Sequence, residues 1–279
     1  MGKLYLVAVP IGNLEEITYL GFRILRDTKV IFCEDTRVTK QLLELLKIWN
    51  NQELIKLNQF NEKACVDLVI KRLSETDCAL VSDAGYPIIS DPGYFLVSDL
   101  RKKGINVQVV NGPCAFVHAV VSSGIDSRRI FFASFLTKKY LQRKKEFENF
   151  KSILKEATVV YYETKNFILR GLEIIQEVYG DIKIGIGREL SKLNETFYYD
   201  NVSNIKEQLV VKGEFVVIIP RQDSIASIED RSIEEILEVV HKRMINKEGK
   251  LRDICKELAL EGRFSTKEIY KSYSERYKN

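Results

Sequence analysis

Short apolar runs rich in β-branched residues alternate with helical patterns over about the first 120 residues, and this alternation constrains the fold more than any other feature. The runs are KLYLVAV (3–9), KVIFC (29–33), LIKL (54–57), CALVS (78–82) and INVQVV (105–110). Between them lie LEEITYLGFRILRD (14–27), TKQLLELLKI (39–48), EKACVDLVIKRLSE (62–75) and GYFLVSDLRKKG (93–104). Each run is too short for a helix but suits a buried strand, and a strand that reaches its parallel neighbour needs a crossover of a dozen or more residues. The expectation is an α/β domain over residues 1–123 with a largely parallel sheet. The apolar helix AFVHAVV (115–121) carries His118, read as a satisfied, partly buried histidine, and SSGID (122–126) then breaks the pattern.

A second α/β domain is expected over 124–221. Its strands are RIFFASF (129–135), ATVVYYE (157–163), KIGIGREL (183–190), ETFYYD (195–200) and EFVVIIP (214–220). A charged helix runs from Tyr140 to about Glu156, and KNFILRGLEIIQEVYG (165–180) is a second helix that Gly180 stops. Beyond Arg221 the texture changes to three amphipathic helical segments, which predicts a helical extension over 222–279. In FSTKE, Ser265 or Thr266 ahead of Glu268 signals a helix start.

Composition matters for what it excludes. With 45% apolar and 29% charged residues in 279, the chain is globular and can fill more than one core. No run of about eighteen apolar residues exists, so no membrane partner is expected. The start, MGKLYLVAVPIGNLEE, lacks a cleavage pattern and reads as a buried strand. Five scattered cysteines (Cys33, Cys65, Cys78, Cys114, Cys255) without a C-x-x-C pair read as free thiols of a cytoplasmic protein, with no metal site. The net charge of +4 is mild, but residues 138–155 hold seven Lys or Arg against two Glu. Such a segment is either a solvated face or a phosphate track.

Glycine-rich phosphate loops of the G-x-G-x-x-G and G-x-x-x-x-G-K-[ST] types are absent. What stands at the strand ends instead is PIGN (10–13), EDTR (34–37), SDAGYPIISDPG (82–93) and NGP (111–113). Ligands of open α/β sheets bind outside the carboxyl ends of the strands, so these turns converge on one edge. Gly85 and Gly93 allow close backbone approach, and Pro87 with Pro92 stiffens the loop. Asp83 and Asp91 are acceptors for ribose hydroxyls or an ammonium group. A ligand with an adenosine and a cationic amino-acid portion fits that set.

The segments LYLVAVPIGNLEEIT, CEDTRVTKQLL, ALVSDAGYPIISDPGYFLV, NGPCAFVHAVVSSGI, YYETKNF, GRELSKLNETF and GEFVVII together resemble the ribosomal RNA small subunit methyltransferase I family, a branch of the tetrapyrrole methylase superfamily. The likeness is collinear from Leu4 to Pro220, and the last fifty or so residues resemble that family's small helical tail. It implies a two-domain tetrapyrrole-methylase-like α/β fold with the cofactor cleft between the domains. It also implies methyl transfer from S-adenosyl-L-methionine to a cytidine ribose 2′-hydroxyl in the decoding region of 16S rRNA, by a homodimer acting on the small ribosomal subunit. Carried onto this chain, the cofactor residues are Pro10, Ile11, Asp83, Gly85, Tyr86, Pro87, Ile88, Cys114 and Ala115 on one side. Tyr162, Glu163, Glu214 and Phe215 are on the other. Tyr86, Cys114 and the Lys165–Asn166 pair depart from the family pattern, which has Thr, Ser and Pro-His there.

Deprotonating the ribose hydroxyl calls for a base, and the candidates are Glu34, Asp35, Glu163 and Glu189. The Glu34–Asp35 pair ranks first because Arg37 nearby holds one carboxylate ionised. RNA contacts are expected from Arg37, Lys138, Lys139, Arg143, Lys144, Lys145 and Arg188. Asn61 and Glu62 match an Asn-Glu pair of the family, although a helix cap explains Asn61 equally well. Two alternatives stay open: a porphyrin or corrin C-methyltransferase of the same superfamily, and a catalytically silent RNA-binding assembly protein.

Overall fold

The computed structural model describes residues 1–58, 60–222, 232–246, 249–260 and 264–277. Strands β1 (Leu4–Val7), β2 (Val30–Cys33), β3 (Glu53–Lys56), β4 (Cys78–Val81) and β5 (Val107–Val110) form a wholly parallel sheet in the order β3-β2-β4-β1-β5. Helices α1 (Tyr19–Asp27), α2 (Thr36–Leu45), α3 (Cys65–Glu75), α4 (Tyr94–Lys102) and α5 (Ala115–Ser123) follow the strands in turn. Central β2 and β4 are buried at every position, as a sheet covered on both faces requires, whereas edge strand β3 is half-exposed. Ile31 and Phe32 point to opposite faces and are both fully buried, each contributing about 1.5–3 kcal/mol.

The helical pattern over 14–27 splits in two. Leu14–Glu16 is a single 3-10 turn capped by Asn13, and α1 starts only at Tyr19. The Thr18 side chain accepts a hydrogen bond from the Gly21 amide at 3.1 Å, and that cap starts a new helix where the hydrophobic period alone runs on.

The second sheet is mixed. Strands β6 (Ile130–Phe135), β7 (Thr158–Thr164), β8 (Lys183–Arg188), β9 (Thr196–Asn201) and β10 (Glu214–Ile219) lie in the order β6-β7-β10-β8-β9, with only β6 and β7 parallel. Helices α6 (Tyr140–Ile153), α7 (Ile168–Tyr179) and α8 (Val202–Gln208) belong to it. Sequence patterning misses α8, whose seven residues follow β9 with no intervening turn. Phe147, Leu172 and Ile175 from α6 and α7 pack on Val217 and Ile186. On the opposite face α5 packs Ala119 and Val120 against Val160, Val216 and Ile218. The last helix of the first α/β unit thus covers the sheet of the second.

Helices α9 (Ile233–Ile245), α10 (Leu251–Leu260) and α11 (Thr266–Tyr277) share a small core of Ile236, Val240, Ile254, Cys255 and Ile269. Reciprocal caps start two of them, Ser232 with Glu235 and Ser265 with Glu268. All five cysteines are free thiols. Among the described residues no helix is long and apolar enough to cross a membrane.

Helix α6 corrects one expectation. Arg143 is 1% exposed and turns inward to pair with Glu163 of β7, which is 4% exposed. Gly171 of α7 leaves room for the pair: a side chain there would meet the Arg143 guanidinium and the Glu163 carboxylate. Arg143 is therefore a core residue and does not face RNA. Removing one partner strands a buried charge, so Arg143→Ala is expected to lower stability by about 3–5 kcal/mol. The double change Arg143→Met/Glu163→Leu, which removes both charges, is expected to lose much less. Urea unfolding of both variants checks this, and equal losses would refute it.

Candidate functional site

Parallel pairing sends the chain out of β1, β2 and β4 at the same edge of the first sheet, and the second sheet faces that edge. The first contact beyond the strands is backbone to backbone. The Val9 amide donates to the Gly85 carbonyl at 2.9 Å, and the Gly85 amide returns the bond at 3.0 Å. Gly85 has φ +70°, a left-handed geometry that glycine adopts without a steric penalty. Ile88 and Ser90 are also left-handed, at φ +78° and +71°, which costs on the order of 1–3 kcal/mol each. The surroundings hold the loop there. The Ser134 hydroxyl of β6 donates to the Ser90 hydroxyl at 2.8 Å, and Gly93 (φ +132°) leaves space that Ile88 fills.

Tyr86 is a third anchor. Its hydroxyl accepts from the Gly112 amide at 3.1 Å and donates to the Asn111 side chain at 3.4 Å. The departure from Thr thus ties the loop after β4 to the loop after β5.

A cavity of about 260 Å³ lies between the two sheets. Of the residues expected on the first side, Ile11, Asp83, Gly85, Tyr86, Cys114 and Ala115 line it; of those on the second, Tyr162, Glu163, Glu214 and Phe215 do. Pro10, Pro87 and Ile88 do not line it; Pro87 is buried, and Ile88 packs against the core of the first sheet. Sequence reasoning missed Phe135, Leu190 and Lys192, which also line the cavity. Phe135 belongs to a chain of rings, with Tyr162 at 5.4 Å and Phe132 at 4.9 Å from Tyr162. Only the pairing of β6 with β7 brings these rings together.

From the first sheet's side three carboxylates, Glu34, Asp83 and Asp91, line the cavity. Burial pushes the Asp91 carboxyl up to about 7, with Glu34 and Asp83 adding like-charge repulsion. Glu34 and Asp83 are raised for the same first reason, loss of water, and each feels neighbouring carboxylates. Asp83 also accepts the Asp35 amide at 3.1 Å.

Asp35, ranked with Glu34 as first base, does not line the cavity. It caps α2 through the Arg37 amide at 2.9 Å and pairs with the Arg37 guanidinium at 2.6 and 3.1 Å. That guanidinium holds the Asp35 carboxyl well below the usual carboxylate range, so Asp35 is a poor proton acceptor. Glu163 pairs with buried Arg143 and accepts the Thr164 amide, which likewise removes it as a base. Glu189 accepts the Glu214 amide and pairs with Lys192, which also reaches Glu214 at 2.8 Å.

Among the expected RNA contacts, Arg188 is buried and spends its guanidinium on the Lys212 and Asn194 carbonyls, so it bridges loops and does not face RNA. Lys144 pairs with Glu177 of α7. Lys138, Lys139 and Lys145 are exposed, as is Arg37 despite its pair with Asp35. His118 is half-buried between the Ser191 hydroxyl and Glu195.

Residues 3–206 match the family described as Tetrapyrrole (Corrin/Porphyrin) Methylases. A protein named Ribosomal RNA small subunit methyltransferase I from Mycoplasma pneumoniae is 36% identical, over 99% of both chains. Its namesake from Bacillus subtilis is 32% identical, over 98% of this chain and 94% of its own. Among solved structures, a cobalt-precorrin-4 methyltransferase of cobalamin biosynthesis aligns with TM-score 0.57 and 13% identity, covering 77% of this chain and 94% of that one. A diphthine synthase aligns with TM-score 0.58 and 12% identity, covering 79% and 90%. These two share the fold, while the near full-length relatives carry the closer kinship. The chain belongs to the tetrapyrrole methylase family and, within it, to the ribosomal RNA small subunit methyltransferase I family.

Proposed function

We propose that this protein transfers a methyl group from S-adenosyl-L-methionine to the ribose 2′-hydroxyl of a cytidine in the decoding region of 16S rRNA, acting on the small ribosomal subunit in the cytoplasm as a homodimer. The observation that carries the reading is the likeness, over 99% of the chain, to a protein named for small-subunit ribosomal RNA. The solved corrin enzyme aligns at 13% identity, a likeness of fold alone.

The donor set fits the cofactor. Three carboxylates on one wall complement a sulfonium and an ammonium group, and Ile11, Leu190 and Phe215 offer apolar surface for a purine. When bound, S-adenosyl-L-methionine supplies an electrophilic methyl on a positively charged sulfur. The chain's own part is to hold the reactants in line and to take a proton, and positioning alone is worth on the order of 7–11 kcal/mol. Asp83, tied through the Asp35 amide to the end of β2, is the fixed acceptor in this reading. Asp91 is the proton acceptor, because a carboxyl near 7 is half-ionised at neutral pH and still basic enough to take a hydroxyl proton. Glu34 supports it by repulsion, which keeps the Asp91 carboxylate basic. Lys138, Lys139 and Lys145 offer exposed charge to the RNA backbone.

Methyl transfer from labelled cofactor to unmethylated small subunits tests the reading, with label expected on a ribose 2′-oxygen. Asp83→Ala is expected to weaken cofactor binding roughly 10- to 150-fold, the loss of one charged hydrogen bond. Cofactor binding by calorimetry with no label on the RNA would overturn the substrate. The pH dependence has a defined sign. The active form of Asp91 is ionised, so turnover is expected to rise with pH through about 7 and then level off. Asp91→Asn is expected to abolish that limb and lower kcat about 100-fold or more. An unchanged pH profile in the variant would assign the proton to another group.

A further inference from the structure

Beyond the cavity, one cluster of side chains has no role in the chemistry above. Two aromatic rings lie on the surface of the first α/β unit close to the cavity wall: Tyr94 is 64% exposed and Phe95 50%. Tyr94 and Phe95 open α4 directly after SDAGYPIISDPG, so Tyr94 follows cavity-lining Asp91 by three positions, a span of at most about 11 Å. Their rings meet edge to face at 5.3 Å, and the Lys63 ammonium lies 4.9 Å from the centre of the Phe95 ring.

The cluster is built, not incidental. Helix α4 begins directly after Gly93, which has no side chain to cap it. Buried Glu62, 4% exposed, reaches across and accepts the Leu96 amide at 3.0 Å. A carboxylate at a helix N-terminus is stabilised by the free amides and the helix dipole. Asn61 donates to the Lys56 carbonyl and accepts from the Asn58 amide, which fixes the segment that carries Lys63. The Asn61–Glu62 pair thereby holds the Lys63 segment against the start of α4.

We propose that Tyr94 and Phe95, with Lys63 at their rim, form a stacking platform for an unpaired base of the RNA strand, adjacent to the nucleotide that enters the cavity. The proposal rests on the RNA reading above and adds the recognition surface to it. Exposed rings offer π faces to any base, and an ammonium beside them serves the phosphate that follows. Lys63 and exposed Lys56 lie at this edge of the sheet, which complements a polyanion. The core of a contact between two copies of the chain is typically depleted in lysine, so charge favours RNA as the occupant. Glu62 acts as a positioning residue for the platform.

The test uses the full-length protein and a labelled single-stranded oligoribonucleotide, read by fluorescence anisotropy. The double variant Tyr94→Ala/Phe95→Ala is expected to bind it at least about fivefold, and up to roughly 150-fold, more weakly than wild type. Tyr94→Phe/Phe95→Tyr, which keeps both rings, is expected to bind as wild type does. Cofactor affinity by calorimetry and the sedimentation mass are expected to be unchanged in both variants. Equal RNA affinity in the alanine variant overturns the proposal, as does a wild type that binds no oligoribonucleotide. A changed sedimentation mass at unchanged RNA affinity would identify the face as a contact between copies. Binding does not require turnover, so platform-dependent binding without methyl transfer to small subunits would remove the methylation reading and leave the platform standing.

Discussion

Parallel pairing of β4 between β1 and β2 is the constraint on which the site depends. Three neighbouring strands that run the same way must release their chains at the same edge. Glu34 therefore leaves β2 beside Asp83, which leaves β4, and the Val9–Gly85 bridge draws the end of β1 into the same place. Antiparallel neighbours would send alternate ends to opposite edges and scatter these groups. Gathering three carboxylates in a partly dry cleft raises their proton affinity, and that follows from strand direction more than from any single residue.

The second sheet contributes the opposite electrical character. Its charged groups near the cavity are already paired: Glu163 with Arg143, and Glu189 and Glu214 with Lys192. Its cavity face is otherwise rings and aliphatic surface from Phe135, Tyr162, Leu190 and Phe215. A ligand with a cationic end and an apolar end meets on one side an acidic wall that has no ion pair among the described residues, and on the other a neutral wall. Such asymmetry orients a ligand without moving parts.

Much of this was legible in the sequence. Strand runs such as CALV and VIFC are buried at every residue and have no competing helical period, so pattern alone locates them. The motif SDAGYPIISDPG announced the cavity wall because two glycines, two prolines and two aspartates exceed what a turn requires. What stayed hidden depends on distant partners. Arg143 sits among lysines in α6 and looks like one more surface cation until β7 brings Glu163 beneath it. Asp35 looked like a base, and its neighbour Arg37, two residues away, turned it into a helix cap. Phe135 lines the cavity only because β6 pairs with β7, and no local pattern encodes that. Helix α8 was missed because Asn201 ends β9 and stands directly before the helix, leaving no punctuation to read.

The loop after β4 combines strain with restraint, and the combination has a consequence for recognition. Left-handed Ile88 and Ser90 would relax in a free loop. Here Gly85 is bridged to β1, Ser90 is bonded to β6 and Tyr86 is bonded to the loop after β5. A wall held at three points is formed before any ligand arrives, so little ordering entropy is lost on binding. Rigidity of that kind suits a ligand whose shape never varies. It leaves the choice of a large, variable substrate to surfaces outside the cavity, where exposed rings and lysines adapt to a flexible strand at small cost.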